Sequence, residues 1–224
     1  MGMRLVLFDI DGTLIDSGGA GTRSLNNAFR DLFSLEDAFH GIRMAGKTDT
    51  EIIKEGLLKH GITKEGHLDA VVSAYLENLE KEIQNNRKHL KPGVSELLEH
   101  LNTESDAGLG LLTGNIEPGA RIKLESFDLN RYFSSGAFGS DDEDRNNLLP
   151  IAVKRFEKLF QKSIEIDNCI IVGDTPRDVA CAHIYSALCI GVATGPYSFE
   201  ELVEAGADIV VKDLSDHLGL LGIF

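Results

Sequence analysis

Tryptophan is absent, and only 3 cysteines and 5 prolines occur among 224 residues. Cys169, Cys181 and Cys189 are odd in number, widely spaced and without a CxxC pair. That argues against a disulfide framework and leaves reduced core cysteines in a cytosolic protein as the expectation. Basic residues are scarce as well: 22 Lys and Arg face 36 Asp and Glu, a formal net charge of −14. Nucleic acid and anionic membranes are therefore disfavoured as partners, since both require clustered cations. No apolar run approaches the ~20 residues needed to cross a bilayer. The first residues lack a basic region followed by an apolar stretch and a cleavage site, so no secretory signal is expected and a cytoplasmic setting is. Val6 stands where a myristoylation site needs Ser or Thr. An anionic substrate would have to find local positive charge within this acidic field.

What is present is the composition of an ordinary globular protein, 42% apolar and 26% charged, long enough for one or two domains. Short β-rich apolar runs occur at "LVLF" (5–8), "LGLLT" (109–113), "GAF" (136–138), "NCIIVG" (168–173), "LCIGV" (188–192) and "DIVV" (208–211). Helical patterns separate most of them. One places Val94, Leu97, Leu98 and Leu101 on a single face behind Pro92 and Gly93, and others cover 147–160 and 177–186. The alternation predicts an α/β fold, a Rossmann-like, mainly parallel sheet with helices on both faces. Residues 9–108 interrupt it with no convincing strand. Leu25, Ala28, Phe29, Leu32 and Phe33 fall at helical spacing, as do Leu68, Val72, Tyr75, Leu76, Leu79 and Ile83, and "TDTE" (48–51) has capping-box spacing. The economical reading is an all-helical insertion, residues 17–88, on a core made of 1–16 and 89–224. The chain would leave and re-enter that core through "DSGGAG" and "HLKPG".

The first strand ends in "DIDGT", which places Asp9 and Asp11 two residues apart before a glycine. An EF-hand loop is excluded, because glycine comes fourth instead of sixth and Ala20 stands where the bidentate Glu belongs. "LLTGN" ends the second main strand with Thr113, Gly114 and Asn115, a hydroxyl and a turn suited either to a phosphate or simply to a strand–helix junction. The glycines of "GLGLLTG" precede and lie within the strand instead of following it, so they are no dinucleotide fingerprint. In "IIVGDTPRDVACA" (170–182), Gly173 and Asp174 close a strand, Thr175 can cap a helix, and Pro176 suits its first turn. Asp174 and Asp178 then bracket a helix start at the carboxyl end of the sheet, where ligands of open α/β sheets bind. Four carboxylates converging there need a cation, and Mg²⁺ is the hard ion that takes such oxygens together with phosphate.

"DIDGTL", "LLTGN", a later basic residue and "GDTPRD", in that order, resemble the motifs of the haloacid dehalogenase (HAD) superfamily. More narrowly they resemble its phosphoglycolate-phosphatase-like branch, in which a helical cap is inserted after the first motif. The resemblance covers nearly the whole chain. It implies a Mg²⁺-dependent hydrolysis of a small phosphorylated metabolite, with Asp9 as nucleophile forming an aspartyl-phosphate and Asp11 as general acid and base. It implies that Asp9, the Asp11 carbonyl and Asp174 hold the metal, with Asp178 orienting its waters. Thr113, with the backbone at Gly114 and Asn115, would hold phosphoryl oxygens.

The third motif departs from the family's lysine. Arg145 in "SDDEDRNNLLPIAVKRF" aligns best there, with Lys154 as the fallback and a plain place in a solvated charged loop as the alternative. "GIRMAGKTDTE" (41–51) resembles the family's specificity segment, which makes Lys47 and Arg43 candidate contacts for a substrate anion, against plain surface solvation. A sugar phosphomutase of the β-phosphoglucomutase type is the alternative function, since it shares the core motifs. Asp11 disfavours a dehalogenase and a phosphonate hydrolase, and the large insertion disfavours a phospho-acceptor signalling module. Neither substrate identity nor oligomeric state is legible from the residues.

Overall fold

The computed structural model describes residues 4–103 and 107–216 together with Gly219. In chain order the elements are β1 (Arg4–Phe8), β2 (Ile15–Asp16), α1 (Ala20–Phe33), α2 (Asp49–Lys59), α3 (His67–Glu82), β3 (His89–Leu90), α4 (Val94–Leu101) and β4 (Ala107–Thr113). Then come α5 (Glu117–Glu125), β5 (Gly136–Phe138), α6 (Leu148–Phe160), β6 (Cys169–Gly173), α7 (Pro176–His183), β7 (Leu188–Val192), α8 (Phe199–Glu204) and β8 (Ile209–Val211).

Six strands form one sheet in the order β5-β4-β1-β6-β7-β8, and every pairing in it is parallel. The two-residue period of a strand, with both faces covered, explains why "LVLF" (5–8) is apolar throughout. Val6 and Phe8 enter a core cluster with Val94, Leu97, Leu98 and Leu101 of α4 and Ala120 and Leu124 of α5. Leu5 and Leu7 enter the opposite cluster, with Leu148, Leu149, Ala152 and Phe156 of α6 and Val179, Cys181 and Ala182 of α7. Both faces are thus covered, and the fold is α/β. All three cysteines are buried and free, as their spacing implied.

The segment between β2 and β3 is helical. Its apolar cluster joins Leu25, Ala28 and Phe29 of α1, Ile52, Ile53 and Leu57 of α2, and Val71, Tyr75 and Leu79 of α3, with Ile116 contributed from the turn before α5. Two details differ from the helical spacing. Leu32 is 43% exposed, and the inward face of α3 is Val71, Tyr75 and Leu79 while Leu68, Val72 and Leu76 are only partly buried. Thr48 caps α2, its hydroxyl accepting from Glu51 N–H at 3.1 Å. At the root of the segment β2 pairs antiparallel with β3, Ile15 opposite Leu90 and Asp16 opposite His89. Two residues per strand are too few to leave a periodic signature, so this pair was invisible in the sequence. Among the described residues, no helix is long and apolar enough to cross a membrane.

Candidate active site

β4, β1 and β6 are neighbours and parallel, so their carboxyl ends meet at one edge. Thr113 ends β4, Asp9 follows β1 and Asp174 follows β6. A cavity of about 470 Å³ opens there, lined by Asp9, Asp11, Gly114, Asn115, Arg145 and Asp174 from the sheet side and by Thr22, Leu25, Met44, Lys47, Asp49, Ile52 and Tyr75 from the helical segment. Thr113 and Asp178 lie just beneath this lining, both fully buried.

One oxygen from each of Asp9, Asp174 and Asp178 falls within 4.8 Å of the others. Like charges so close are costly. Burial, and then Asp178 and Asp11, push the Asp9 carboxyl up to about 6 against the pull of Arg145 and a hydrogen bond from Thr113. Burial, followed by Asp9 and Asp178, raises Asp174 well above the carboxylate range. Arg145 offsets part of this: its guanidinium stands 3.2 Å from Asp9 and also bonds Asp178. Its Nε–H is buried with no partner among the described residues. Asp178 is otherwise committed to α7, accepting from Thr175 N–H at 3.0 Å and from its hydroxyl at 2.7 Å. Asp174 accepts only from Thr13, at 3.2 Å, among the hydrogen bonds of the described residues. A Cβ at Gly12, where φ is +89°, would lie 2.2 Å from Asp174 Oδ2, so only glycine lets the first loop close over that carboxylate.

This donor set fits a hard divalent cation. It offers carboxylate oxygens alone, without histidine or thiolate, and its like-charge crowding is what such an ion relieves. Asp11 points elsewhere. Its carboxylate accepts from Lys123 at 2.5 Å and from the Asn115 amide at 2.9 Å. Burial works against its charge, yet Lys123 and Asn115 hold its pKa below the ordinary value.

Arg145 stands beside Asp9 and Asp178, whereas Lys154 is exposed on α6 and lies outside the cavity lining. Lys47 lines the cavity, but its ammonium is taken by Glu55 and by Glu51 at 3.4 Å. Arg43 is exposed and lies outside the lining, so the structure does not bring it to the site. Its segment turns through Met44 and Gly46, which put Lys47 on the cavity and leave Arg43 in solvent. Gly114 is gripped by the same segment: its carbonyl accepts from Asp49 N–H at 2.7 Å, and a Cβ there would come within 2.1 Å of the Lys47 carbonyl.

Three residues escaped the sequence reading. Lys123 is 4% exposed and bonds Asp11 and the Asn115 carbonyl oxygen. Burial would push its ammonium down, but Asp11, Tyr75 and Asp49 raise it. Asp49 accepts from Ile116 N–H at 3.0 Å and from the Tyr75 hydroxyl. The signal for Lys123 was its place on the stripe Ile116, Ala120, Lys123 and Leu124, at helical spacing where an apolar residue is due. Asp49 was masked because an acid in the first turn of a helix needs no other reason.

Burial carries Asp49 to about 6 despite Lys123 and the Ile116 N–H, against an ordinary 3.8. A raised carboxyl contributes stability that is complete below about pH 4 and is lost as pH rises through about 6. Asp49→Asn is therefore expected to melt a few degrees above the parent protein at pH 8, with the gap closing by pH 4. Scanning calorimetry across that range checks it, and a variant that melts lower at pH 8 contradicts it.

Buried carboxylates at the ends of adjacent parallel strands, with a guanidinium among them and a helical segment lining the cavity, make a site able to hold a cation on an α/β fold. Residues 3–183 match the family model of haloacid dehalogenase-like hydrolases, and the chain belongs to that family. It is similar to a phosphoglycolate phosphatase of Photorhabdus laumondii, 24% identical over 231 residues that cover 99% of this chain and 94% of the relative. A phosphoglycolate phosphatase of Agrobacterium fabrum is 26% identical over 216 residues, covering 94% and 89%. Among solved structures, a hydrolase from Pseudomonas syringae superposes with a TM-score of 0.74 at 24% identity, covering 99% of both chains. The protein is thus an enzyme, a phosphoric monoester hydrolase by this kinship.

Proposed function

We propose that the protein is a Mg²⁺-dependent phosphatase that hydrolyses a small phosphate monoester through an aspartyl-phosphate on Asp9, beneath a cap formed by residues 17–88. The observation that carries this is the meeting of Asp9, Asp174 and Asp178 around one point, with Arg145 beside Asp9. Asp9, Asp174 and the Asp11 carbonyl would hold the ion, with Asp178 behind them. When bound, Mg²⁺ supplies positive charge to the phosphoryl oxygens and keeps Asp9 ionised.

In the first half-reaction an Asp9 carboxylate oxygen attacks phosphorus and the bond to the leaving oxygen breaks, with Asp11 donating the proton that the departing alcohol takes. In the second, Asp11 removes a proton from water, the water oxygen bonds phosphorus, and the bond to Asp9 breaks to release inorganic phosphate. The contacts from Lys123 and Asn115 hold Asp11 ionised, the form required for the second half. To act as the acid it has to leave them. Arg145 stands where its unpartnered Nε–H and its charge suit the transferring phosphoryl group, and Thr113 with the turn at Gly114 and Asn115 supplies the opposite wall. The cap reading is supported by the bonds that shut the 46–50 segment onto the core. Asp49 N–H reaches Gly114, the Thr48 hydroxyl reaches the Glu143 carbonyl at 2.8 Å, and the Thr50 hydroxyl reaches the Gly139 carbonyl at 2.8 Å. Closure of this kind excludes water from phosphoryl transfer. A small cytoplasmic metabolite is the partner that suits such a site.

The test is phosphate release from a panel of monoesters with Mg²⁺, after EDTA, and after Mg²⁺ is restored. Turnover is expected to vanish with EDTA and to return on reloading, with one inorganic phosphate released per ester consumed. Activity indifferent to EDTA would remove the metal from the reading. An isomerised sugar phosphate in place of free phosphate would make the enzyme a mutase.

A further inference from the structure

We infer that the cap side of the cavity receives an uncharged, hydroxyl-bearing leaving group, as in a sugar or polyol monophosphate, and not one that carries a carboxylate or a second phosphate. This rests on the phosphatase reading above and specifies its substrate class.

The inference comes from where the cations go. Among the described residues, the lysines and arginines that line the cavity are Lys47, Lys91, Lys123 and Arg145. Each already has a carboxylate. Lys47 is held by Glu55 and Glu51. Lys91 stands 3.5 Å from Asp16 and donates to the Thr194 carbonyl at 2.8 Å. Lys123 is bound to Asp11, and Arg145 lies between Asp9 and Asp178. Among the described residues, Arg145 Nε is the one buried nitrogen of these four with no hydrogen-bond partner, and it faces the phosphoryl site. A second anionic group on the substrate would have to share a cation whose charge a carboxylate already offsets, or lie against Asp49 without a counter-charge. Either costs several-fold to many-fold in binding, because a desolvated anion without a partner is strongly penalised.

The same walls suit hydroxyl groups. Asp49 faces the cavity with a carboxylate that accepts from Ile116 N–H and Tyr75 and has lone pairs to spare for a substrate hydroxyl. The Tyr75 oxygen can accept, and the Thr22 hydroxyl has only the Met44 sulfur, at 3.7 Å. Leu25, Met44 and Ile52 offer the apolar surface that the C–H face of a sugar covers. Size points the same way: about 470 Å³ lies within the ~300–1,000 Å³ range of sites that enclose ligands much larger than a two-carbon acid.

The experiment uses the full chain loaded with Mg²⁺ and compares kcat/KM for para-nitrophenyl phosphate, ribose 5-phosphate, glycerol 3-phosphate, phosphoglycolate and fructose 1,6-bisphosphate. Ribose 5-phosphate or glycerol 3-phosphate is expected to exceed phosphoglycolate and the bisphosphate by about tenfold or more. The double variant Glu51→Gln, Glu55→Gln frees Lys47 without touching the lining. It should raise kcat/KM for phosphoglycolate by about fivefold while leaving ribose 5-phosphate within about twofold. Phosphoglycolate or the bisphosphate matching the neutral esters overturns the inference, and so does a double variant whose selectivity does not move. Both results leave the phosphatase standing as long as para-nitrophenyl phosphate is hydrolysed. Loss of that activity as well would instead bring down the phosphatase reading on which the inference rests.

Discussion

Asp9→Asn is expected to lower turnover by about 10⁴–10⁶-fold, the scale on which removal of a covalent nucleophile is felt when the rest of its machinery remains. The amide is nearly isosteric, so binding of ester should persist and the loss should fall on kcat. Stability gives an independent reading of the same residue. Burial and the neighbouring Asp178 and Asp11 carry the Asp9 carboxyl to about 6 from an ordinary 3.8, with Arg145 opposing. A pKa raised in the folded state means stability that is complete below about pH 4 and forfeited as pH rises through about 6. At pH 7.5 without metal the parent protein therefore carries an unfavourable buried charge that the variant lacks. Asp9→Asn should melt no lower than the parent under those conditions. With saturating Mg²⁺ the order should invert, because a ligand stabilises in proportion to how tightly the folded state holds it. Thermal melts with EDTA and with Mg²⁺, beside a phosphate-release assay, test both halves. A correctly folded variant with substantial turnover would exclude Asp9 as the nucleophile.

Arg145→Ala should be damaging twice over. The guanidinium is 4% exposed and touches both Asp9 and Asp178, which is itself fully buried. Taking one partner from a buried ion pair leaves the other charge stranded, at about 3–5 kcal/mol. Loss of positive charge beside a transferring phosphoryl group costs on the order of 10³-fold in kcat. Arg145→Lys separates the two effects. A single ammonium replaces the charge, but it lacks the fork that spans two carboxylates and the Nε–H that has no partner among the described residues. The lysine variant should recover most of the stability in urea titrations and only part of the turnover. Wild-type activity in Arg145→Ala would mean that Arg145 is purely a strut for α7.

The parallel sheet was legible because its strands are short, apolar and bounded by helical patterns. The meeting of the Asp9 and Asp174 carboxylates was legible because each follows a parallel strand, whose direction carries it to one edge, whereas the Asp11 carboxylate turns away to Lys123. What escaped is of a different kind. Lys123 reads as one more lysine on an exposed helix until the turn at Ile116 shows that its face is the inner one. Asp49 looks like a dipole acid, and Tyr75 like a core aromatic. Their meeting across the cavity depends on how the helical segment docks, and local sequence does not encode that. Lys47, which does line the cavity, shows the converse. Its charge was visible, but Glu51 and Glu55 on α2 take its ammonium. A cation seen in a sequence is a donor only if the fold has not already given it to something else.

The antiparallel pair formed by Ile15 and Asp16 with Leu90 and His89 makes the chain depart from the sheet and come back at one place. The long excursion between them consequently adds no rung to the main ladder and leaves its strand order untouched. Such a layout behaves like a socket. A segment of another length or shape, spliced in at the same two rungs, would inherit the catalytic edge unchanged and alter only what is admitted to it.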